Sequence, residues 1–203
     1  MKVLNLYSGI GGNRKLLNGV DVTAVEINPE IAKVYQDFFP SDNVVVDDAH
    51  KYLLKHYNEY DFVWSSPPCP THSRARFWAL GNKHTKPVYR DIKLYEEIIF
   101  LDKFFKGKWV VENVKGYYKP LIEPIEIGRH YFWSNFHISN IDVISFVNSK
   151  QSEKGFIERT GFDLTDKKFS QRKDQIYRNI INSKLGKHIF DCAFKRKQTK
   201  LVS

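Results

Sequence analysis

Short apolar runs alternate with amphipathic stretches over most of the chain. The runs that predict buried strands lie at 3–7, 22–27, 43–46, 61–65, 108–111 and 131–136, with a further candidate at 137–146. The stretches that predict helices lie at 14–17, 28–38, 50–57, 90–105 and 175–190. Asn28 suits a helix N-cap and Pro29 the first helical position, so the second helix has a defined start. Residues 147–175 are polar without a clear period and predict a loop or small insert.

Strands that alternate with helices predict an open α/β fold, doubly wound around a mostly parallel sheet with right-handed crossovers. Small and polar residues cluster directly after the predicted strand ends. Ligands bind such sheets in the crevice at the carboxyl ends of the strands. The sequence therefore predicts a functional site at that edge.

Composition narrows the class of protein. A chain of 203 residues with 42% hydrophobic residues can bury one sizeable core. No apolar run is long enough to span a bilayer, and the N-terminal residues do not resemble a signal peptide. Two cysteines far apart in the sequence, Cys69 and Cys192, predict free thiols in a reducing cytoplasm, and a disulfide between them is the less favoured alternative.

The positive charge is concentrated at one end. The net charge is +9; residues 1–149 hold 18 Lys and Arg against 17 Asp and Glu, whereas residues 150–203 hold 14 against 6. A basic segment favours association with a polyphosphate such as nucleic acid. A solvated basic tail with no partner is the alternative that charge alone leaves open.

Two features predict room for a nucleoside-bearing ligand. Gly9, Gly11 and Gly12 follow the first strand, where glycines permit a tight turn and close approach of a ligand. Their spacing is not G-x-G-x-x-G, which weakens a dinucleotide interpretation without excluding it. Glu26 and the Asp47-Asp48 pair end the second and third strands, where carboxylates can accept from ribose hydroxyls or an adenine amino group. Acidic residues are also common at helix starts for dipole reasons alone.

Cys69 is the candidate nucleophile. It follows Pro67 and Pro68 directly after the fourth strand, so its thiol projects from a restrained loop. Loop amides and the nearby cations Arg74 and Arg76 are expected to lower its pKa. Metal ligation is not expected, because no second cysteine lies at ligand spacing and His72 alone is insufficient.

Glu112 and Asn113 end the fifth strand at the same edge of the sheet. A buried glutamate there could share a proton with a ring nitrogen of a bound base. A Glu-Asn pair that only caps the following element is the alternative interpretation.

Together these segments resemble the cytosine-C5 DNA methyltransferase family. The matching segments, in the order of that family, are Tyr7-Ser8-Gly9-Ile10-Gly11-Gly12, Pro67-Pro68-Cys69, Glu112-Asn113-Val114, Gly128-Arg129-His130-Tyr131-Phe132 and Tyr177-Arg178-Asn179-Ile180-Ile181-Asn182. The resemblance implies S-adenosylmethionine as cofactor, DNA as partner and methylation of cytosine at carbon 5. It also implies a base flipped out of the helix.

The resemblance also assigns roles to residues. Cys69 would attack carbon 6 of cytosine, Glu112 would engage the ring nitrogen and exocyclic amine, Asn113 would brace the loop, and Arg129 would support the base or Glu112. The implied cofactor-binding residues are Tyr7, Gly9, Gly11, Gly12, Glu26, Ile27, Asp48, Ala49, Pro67 and Asn179. The implied division is a catalytic and cofactor-binding domain at 1–137, a target-recognition insert at 138–174, a C-terminal helix at 175–194 that packs back, and a basic tail at 195–203.

Three departures from the family pattern are visible. Pro70 stands where glutamine is common, and His130 stands near the place of a second arginine, so the role given to Arg129 could belong to its neighbour. The stretch between Phe136 and Tyr177 is far shorter than the usual recognition region. A short or loose target sequence, or a partner protein that supplies specificity, would follow.

Three alternatives remain open. An RNA cytosine-C5 methyltransferase would share these motifs, because basic charge serves either polymer. A catalytically silent nucleic-acid-binding relative is disfavoured by the intact Cys69 and Glu112. A dinucleotide-dependent oxidoreductase would leave the Pro67-Pro68-Cys69 segment unexplained.

Overall fold

Seven strands form one sheet in the computed structural model, which describes residues 1–81, 86–141 and 152–194. The strands are β1 (Lys2–Leu6), β2 (Asp21–Val25), β3 (Asn43–Val45), β4 (Phe62–Ser65), β5 (Lys108–Val114), β6 (Ile125–Ile127) and β7 (His130–Ser134). The helices are α1 (Pro29–Phe38), α2 (Ala49–His56), α3 (Arg74–Ala79), α4 (Lys93–Phe104), α5 (Glu153–Thr160), α6 (Lys173–Asn179) and α7 (Ser183–Phe194), with a 3₁₀ turn at Tyr57–Glu59.

The sheet has the order β3-β2-β1-β4-β5-β7-β6. Strands β1 to β5 pair in parallel, whereas β7 is antiparallel to both β5 and β6. The chain order reverses between β1 and β4, which opens a crevice at their carboxyl ends. The predicted α/β fold with a doubly wound, mostly parallel sheet is therefore confirmed.

Both faces of the central strands are buried, as parallel sheets require. Alternate residues of β1 point to opposite faces: Leu4 packs with Leu53 of α2 and Leu101 of α4, and Val3 packs with the α7 side. On the α7 side the cluster includes Trp64 and Ile189, which are almost fully buried. Helices cover both faces, so the crevice at the strand ends is the part of the sheet left for a ligand.

The start of α1 follows the predicted capping. The Asn28 side chain accepts hydrogen bonds from the backbone N–H groups of Glu30 (2.9 Å) and Ile31 (3.4 Å), and Pro29 occupies the first helical position. These contacts satisfy two of the four N–H groups that a helix start leaves without partners.

The prediction of a helix at 14–17 is wrong, because residues 12–16 form a turn. Two side chains hold this turn to other segments. Asn13 donates to the Asn5 side chain in β1 (2.8 Å), and Arg14 pairs with the buried Asp42 (2.8 Å). Long-range polar contacts therefore override the local helical preference.

The single helix predicted at 175–190 is two helices, α6 and α7. The chain between them runs against the glycine turn: a Cβ on Gly12 would lie 2.5 Å from the Ile181 carbonyl oxygen. The Asn182 side chain accepts from the N–H groups of Lys184 (2.9 Å) and Leu185 (3.2 Å) and so restarts the helix. A close backbone approach thus breaks a continuous apolar pattern.

Other segments differ from the prediction in smaller ways. The insert contains α5, and β6 and α3 have no counterpart in the prediction. Residues 137–141 form no strand, and the rest of the candidate strand at 137–146, like the basic tail at 195–203, lies outside the described residues. In the described ranges no helix is both long and apolar enough to cross a membrane.

Helices α5 and α6 pack on α1 rather than extending away from the domain. The Phe156 ring stacks on the Tyr177 ring with centroids 5.0 Å apart and planes 5° apart. Phe162, fully buried, joins this cluster together with Ile31 and Val34 of α1. The short insert therefore contributes to the core beside the glycine turn.

Substitution of Gly186 by alanine tests the docking of α7. A Cβ there would lie 2.7 Å from the Cα of Asn13, so we expect the variant to lose about 1–3 kcal/mol of unfolding free energy. In an open helix position the same change stabilises by about 0.5–1 kcal/mol. Urea denaturation measures the difference, with Lys184→Ala on the exposed side of α7 as the matched control. A Gly186→Ala protein more stable than the wild type would contradict the packing described above.

Candidate active site

The Cys69 loop is held to the end of β5. The Cys69 carbonyl accepts from the N–H groups of His72 and Ser73, both at 3.0 Å, which closes a tight turn. The Asn113 side-chain amide donates to the Pro67 carbonyl at 3.0 Å, and this amide is buried. The loop that bears the thiol is therefore fixed relative to the strand that bears Glu112.

A chain of hydrogen bonds ends on the buried Glu112. Arg129 Nε donates to His130 Nε2 at 3.2 Å, and His130 Nδ1 lies 2.5 Å from Glu112 Oε1. Arginine can only donate, so His130 Nε2 must accept, and the imidazole proton sits on Nδ1 and points at the carboxylate. Glu112 and His130 are both buried, at 5% and 8% exposure, so this arrangement is shielded from water.

Arg129 does not contact Glu112 directly; His130 is the residue placed against the carboxylate. Another guanidinium nitrogen of Arg129 donates to the Arg178 carbonyl at 2.8 Å, which ties the site to α6. The sequence left open whether Arg129 or His130 takes the role of the arginine motif. Both take part, with His130 between the arginine and the glutamate.

The pKa of the Cys69 thiol is raised, not lowered as expected. Burial is the main cause and the negative charge of Glu112 adds to it, while the positive charge of Arg129 acts in the opposite direction. The expected cations are engaged elsewhere: Arg74 donates to the Gly116 carbonyl (3.2 Å) and Arg76 to the Lys86 carbonyl (3.2 Å). The free protein therefore holds Cys69 as a thiol at neutral pH.

Glu26 braces the glycine turn at the carboxyl end of β2. One carboxylate oxygen accepts from the Gly9 N–H at 3.0 Å and the other from the Asn28 N–H at 2.9 Å. Burial raises the pKa of Glu26, and the backbone donors partly offset this. The Ile27 N–H also donates to this carboxylate. A carboxylate has about four acceptor sites, so Glu26 can still receive a ligand hydroxyl.

Of the three glycines in the turn, Gly9 is the one that faces open space. Its φ is +52°, and a Cβ there would meet nothing within 4 Å. At Gly11 (φ +85°) the Phe39 ring fills the corresponding space at 2.4 Å, and at Gly12 the backbone of Ile181 does so. The last two glycines therefore permit close packing of the protein, and Gly9 borders the ligand space.

An apolar rim lies beside the acidic strand ends. Ile27, which follows β2, is 66% exposed, and Val46, which follows β3, is 55% exposed. Such high exposure is uncommon for apolar side chains next to buried strands. Between them and α2, Asp48 caps the helix by accepting from the Lys51 N–H at 3.1 Å, which is the main cause of its lowered pKa. Ala49, the first residue of α2, is buried. Val46 had not been singled out from the sequence.

Two further polar features were missed from the sequence. Glu97 of α4 is fully buried and lies 2.5 Å from the Tyr7 hydroxyl, 2.5 Å from the Ser65 hydroxyl and 3.0 Å from His50 Nδ1. A glutamate within the apolar face of α4 was the available signal. Ser8 Oγ is buried and has no hydrogen-bond partner among the described residues, an arrangement that fits a ligand with polar groups.

The cofactor side fits a nucleoside-bearing group. An available carboxylate, an open glycine, an unsatisfied hydroxyl and an apolar rim meet at the ends of β1, β2 and β3. Asn179, also expected here, is exposed at the end of α6, one residue before the segment that contacts Gly12. The described residues contain no group of three His, Cys, Asp or Glu side chains arranged to bind a metal ion.

Fold and site together define a Rossmann-like α/β protein with a cysteine on a restrained loop beside a buried glutamate. The family model described as C-5 cytosine-specific DNA methylase matches residues 1–121. This match spans more than half of the chain, and the chain belongs to that family.

Two curated relatives and one solved structure illustrate what this chain is similar to. The tRNA (cytosine(38)-C(5))-methyltransferase of Spodoptera frugiperda is 28% identical over 137 residues, which cover 63% of this chain and 40% of the relative. The type II methyltransferase M.HgiBI of Herpetosiphon aurantiacus is 26% identical over 123 residues, which cover 59% and 27%. A SAM-dependent methyltransferase from Agrobacterium tumefaciens superposes with a TM-score of 0.43 at 16% identity over 58% of this chain and 40% of that one. The matched region thus spans two fifths or less of the length of these relatives.

The raised pKa of Cys69 predicts its reactivity. In a Cys192→Ser background, we expect the rate of alkylation by iodoacetamide to be slow at neutral pH and to increase with a midpoint above that of an ordinary thiol. Glu112→Gln removes a negative charge and should lower this midpoint, whereas Arg129→Gln removes a positive charge and should raise it. Stopped alkylation reactions followed by mass spectrometry give the profiles. A wild-type midpoint below the ordinary value, or shifts of the opposite sign, would refute the assigned electrostatics.

Proposed function

We propose that this protein transfers a methyl group from S-adenosylmethionine to carbon 5 of cytosine in DNA, through a covalent adduct between Cys69 and the flipped base. The observation that carries the proposal is the restrained Cys69 loop beside the buried Glu112, joined by the Asn113 to Pro67 hydrogen bond. A nucleophile and a buried carboxyl group at fixed separation are the two groups that attack on a cytosine ring requires.

The cofactor is proposed to occupy the crevice at the ends of β1, β2 and β3. Glu26 would accept from the ribose hydroxyls, Ile27 and Val46 would flank the adenine ring, and Asp48 would accept from its amino group. Gly9 would leave space for the methionine portion. Tyr7, Ala49, Pro67 and Asn179 complete the proposed set. When bound, S-adenosylmethionine supplies an electrophilic methyl group.

The protein's own residues activate the base. Cys69 gives its proton to solvent and its sulfur bonds to carbon 6 of cytosine, so that the electron pair of the carbon 5–carbon 6 double bond shifts toward carbon 5. Glu112 holds a proton at ring nitrogen 3, so the charge that develops there is neutralised, and His130 donates to Glu112 Oε1. After carbon 5 has gained the methyl group, it gives its proton to solvent, the carbon 6–sulfur bond breaks, and the proton at nitrogen 3 returns to Glu112. These changes restore the aromatic ring and release Cys69 as a thiolate, which takes a proton from solvent.

DNA is proposed to approach from the side of β5, β7 and α6. The side chains of Arg129 and Arg159 both donate to carbonyls of α6, those of Arg178 (2.8 Å) and Tyr177 (3.2 Å). Burial and the positive charges of Arg129 and Arg178 lower the pKa of Arg159. Cations held this close together attract a phosphate. Because Arg159 belongs to α5, we propose that residues 138–174, which include α5, form a reduced target-recognition insert. Its small size leaves a role for a partner protein that supplies specificity.

RNA is the second candidate substrate. The Spodoptera frugiperda relative named above is a tRNA methyltransferase, and its identity to this chain is as high as that of the type II DNA enzyme. An A-form stem with an unpaired cytosine would present the same base to Cys69.

Methyl transfer tests the proposed function. With tritiated S-adenosylmethionine we expect label to enter cytosine-containing DNA, Cys69→Ser to abolish transfer, and Cys192→Ser to retain it. DNA that contains 5-fluorocytosine should trap a covalent adduct through Cys69, because the fluorine cannot leave carbon 5 as a proton does. Transfer to RNA alone would replace the first candidate by the second. Label in neither polymer together with no adduct would refute both.

His130 is expected to position Glu112. His130→Leu leaves the buried carboxyl group without its donor, and we expect kcat to fall on the order of 10²-fold because Glu112 is no longer held. His130→Asn keeps an N–H near the position of Nδ1 and should recover part of this loss. Steady-state kinetics with DNA and S-adenosylmethionine measure both variants, and KM for the cofactor should not change. Equal kcat values for the two variants would argue against a positioning role.

A further inference from the structure

The described residues that follow Cys69, 70–81 and 86–90, include exposed aromatic and basic side chains. They contain four Lys or Arg and no Asp or Glu. Trp78 of α3 is 73% exposed, and Tyr89 is 99% exposed. These large rings therefore contribute little to the core, and packing within the described part of the chain does not account for them.

Contacts gather three segments into one surface. The Phe77 ring stacks on the Tyr117 ring, with centroids 4.9 Å apart and planes 11° apart. The Arg76 guanidinium donates to the Lys86 carbonyl, which ties α3 to the segment that bears Tyr89. We call Phe77, Trp78, Tyr89 and Tyr117 the aromatic platform.

Cations lie over and beside the aromatic platform. The Arg90 guanidinium carbon lies 5.2 Å from the centroid of the Tyr117 ring and 4.4 Å from that of Tyr118. Arg74 and Lys86 are exposed in the same segments. Rings with arginines stacked on them are the features by which proteins bind unpaired bases and their phosphates.

The aromatic platform is fixed to the nucleophile loop. The Cys69 carbonyl accepts from the Ser73 N–H, and Ser73 is the N-cap of α3. Ser73 also pairs with Gly116, the neighbour of Tyr117, and Arg74 Nε donates to the Gly116 carbonyl. A nucleotide next to the cytosine at Cys69 would therefore be within reach of this surface.

We propose that the aromatic platform binds unpaired nucleotides beside the target cytosine, so that the protein prefers single-stranded or looped nucleic acid to a continuous duplex. The proposal rests on the proposed function for the identity of the target base. Each base has a face that can stack on an exposed ring, but in a duplex both faces are already covered by neighbouring bases. Exposed rings that gain little from a duplex gain directly from unpaired bases.

Charge favours nucleic acid over a protein occupant. An apolar protein surface would cover four cations, Arg74, Arg76, Lys86 and Arg90, without supplying counterions, and burying unpaired charge is unfavourable. A single strand presents phosphates and base faces together, which matches the interleaved cations and rings.

The free-energy cost of base flipping also favours an unpaired target. Extruding a cytosine from a duplex costs a few kcal/mol in lost stacking and pairing, and this cost is least where the base is already unpaired. A chain with so short an insert has few groups with which to offset that cost. A preference for unpaired targets removes most of it.

Binding measurements test the proposal. We would titrate the protein into fluorescein-labelled oligonucleotides of about 12 nucleotides, a length within the range of single-strand sites. The probes are one cytosine-containing sequence as single-stranded DNA, as single-stranded RNA and as blunt duplex DNA, read by fluorescence anisotropy. We expect both single strands to bind more tightly than the duplex. Trp78→Ala and Tyr89→Ala should each weaken single-strand binding roughly tenfold, and Trp78→Phe should retain most of it.

Two controls sharpen the result. Phe104→Ala removes an aromatic ring of similar exposure, 58%, at the far end of α4, and it should leave binding unchanged. Lys86→Gln should reduce the magnitude of the salt dependence, by about 0.7 in the slope of log K against log salt, if it contacts a phosphate of a single strand. Tighter binding of the duplex, or Trp78→Ala and Tyr89→Ala proteins that bind as the Phe104→Ala protein does, would overturn the proposal. So would a wild-type oligomer that Trp78→Ala dissociates without loss of affinity for single strands.

The binding measurements and the methyl-transfer assay test the two proposals independently. Single-strand binding that depends on Trp78 but without methyl transfer would retain the aromatic platform and remove the catalytic proposal. Methyl transfer to duplex and single strand at equal rates, unaffected by Trp78→Ala, would retain the catalytic proposal and remove the proposed role of the aromatic platform.

Discussion

The crevice depends on one buried carboxylate. Glu97 enters from α4 and accepts from Tyr7 at the end of β1, from Ser65 at the end of β4 and from His50 of α2. Its contacts therefore join the two strands between which the sheet order reverses. Taking a carboxylate out of water costs several kcal/mol unless donors replace the lost hydration, and here three donors do so. Tyr7 leads into the glycine turn and Ser65 into the Cys69 loop, so the same group sets the relative position of these two segments. Tyr7 has a φ of +53°, an uncommon conformation for a residue with a side chain, which the bond to Glu97 helps to hold.

This arrangement ties the fold to pH through His50. The hydrogen bond to Glu97 is the main cause of the raised pKa of His50, and burial acts in the opposite direction. A raised folded-state pKa means that the protonated imidazole stabilises the folded protein below the unfolded pKa of histidine, and that this contribution is lost as the pH increases through the folded value. The Glu112 carboxylate has a different kind of partner: His130 between it and Arg129 is held with its proton on Nδ1. One carboxylate thus anchors the scaffold, while the other has its donor fixed for the reacting base.

The sequence predicted what depends on local pattern and on family motifs. The apolar runs predicted the parallel strands, and Asn28-Pro29 predicted the start of α1, because burial on both faces and helix capping are short-range requirements. The segments that meet at the strand ends were also predicted, since parallel strands bring their carboxyl ends to one edge. The predictions that were wrong concern features that depend on contacts between residues far apart in the sequence. The turn at 12–16 replaces a helix because Asn5 and Asp42 bind its side chains, and Gly12 against Ile181 divides the C-terminal helix. In the sequence Glu97 is one polar residue in the apolar face of a predicted helix. Only its three hydrogen-bond partners in the structure show that it joins β1, β4 and α2.

The pKa of Cys69 shows why the electrostatics of a site cannot be taken from neighbours in sequence. Arg74 and Arg76 are close along the chain but bind backbone carbonyls. Burial raises the pKa of the thiol, and the negative charge of Glu112, 43 positions away in the sequence, raises it further. In the proposed mechanism, in which Cys69 attacks a base that is already bound, the raised pKa is an advantage. A thiol that remains protonated in the free protein resists oxidation and alkylation. In the proposed mechanism, arrival of the base changes that balance. A proton taken up from solvent and shared between Glu112 and the ring nitrogen would neutralise the carboxylate and remove one of the two causes of the raised pKa. Activation of the thiol would then be coupled to correct placement of the cytosine, through Glu112 rather than through a permanently ionised sulfur.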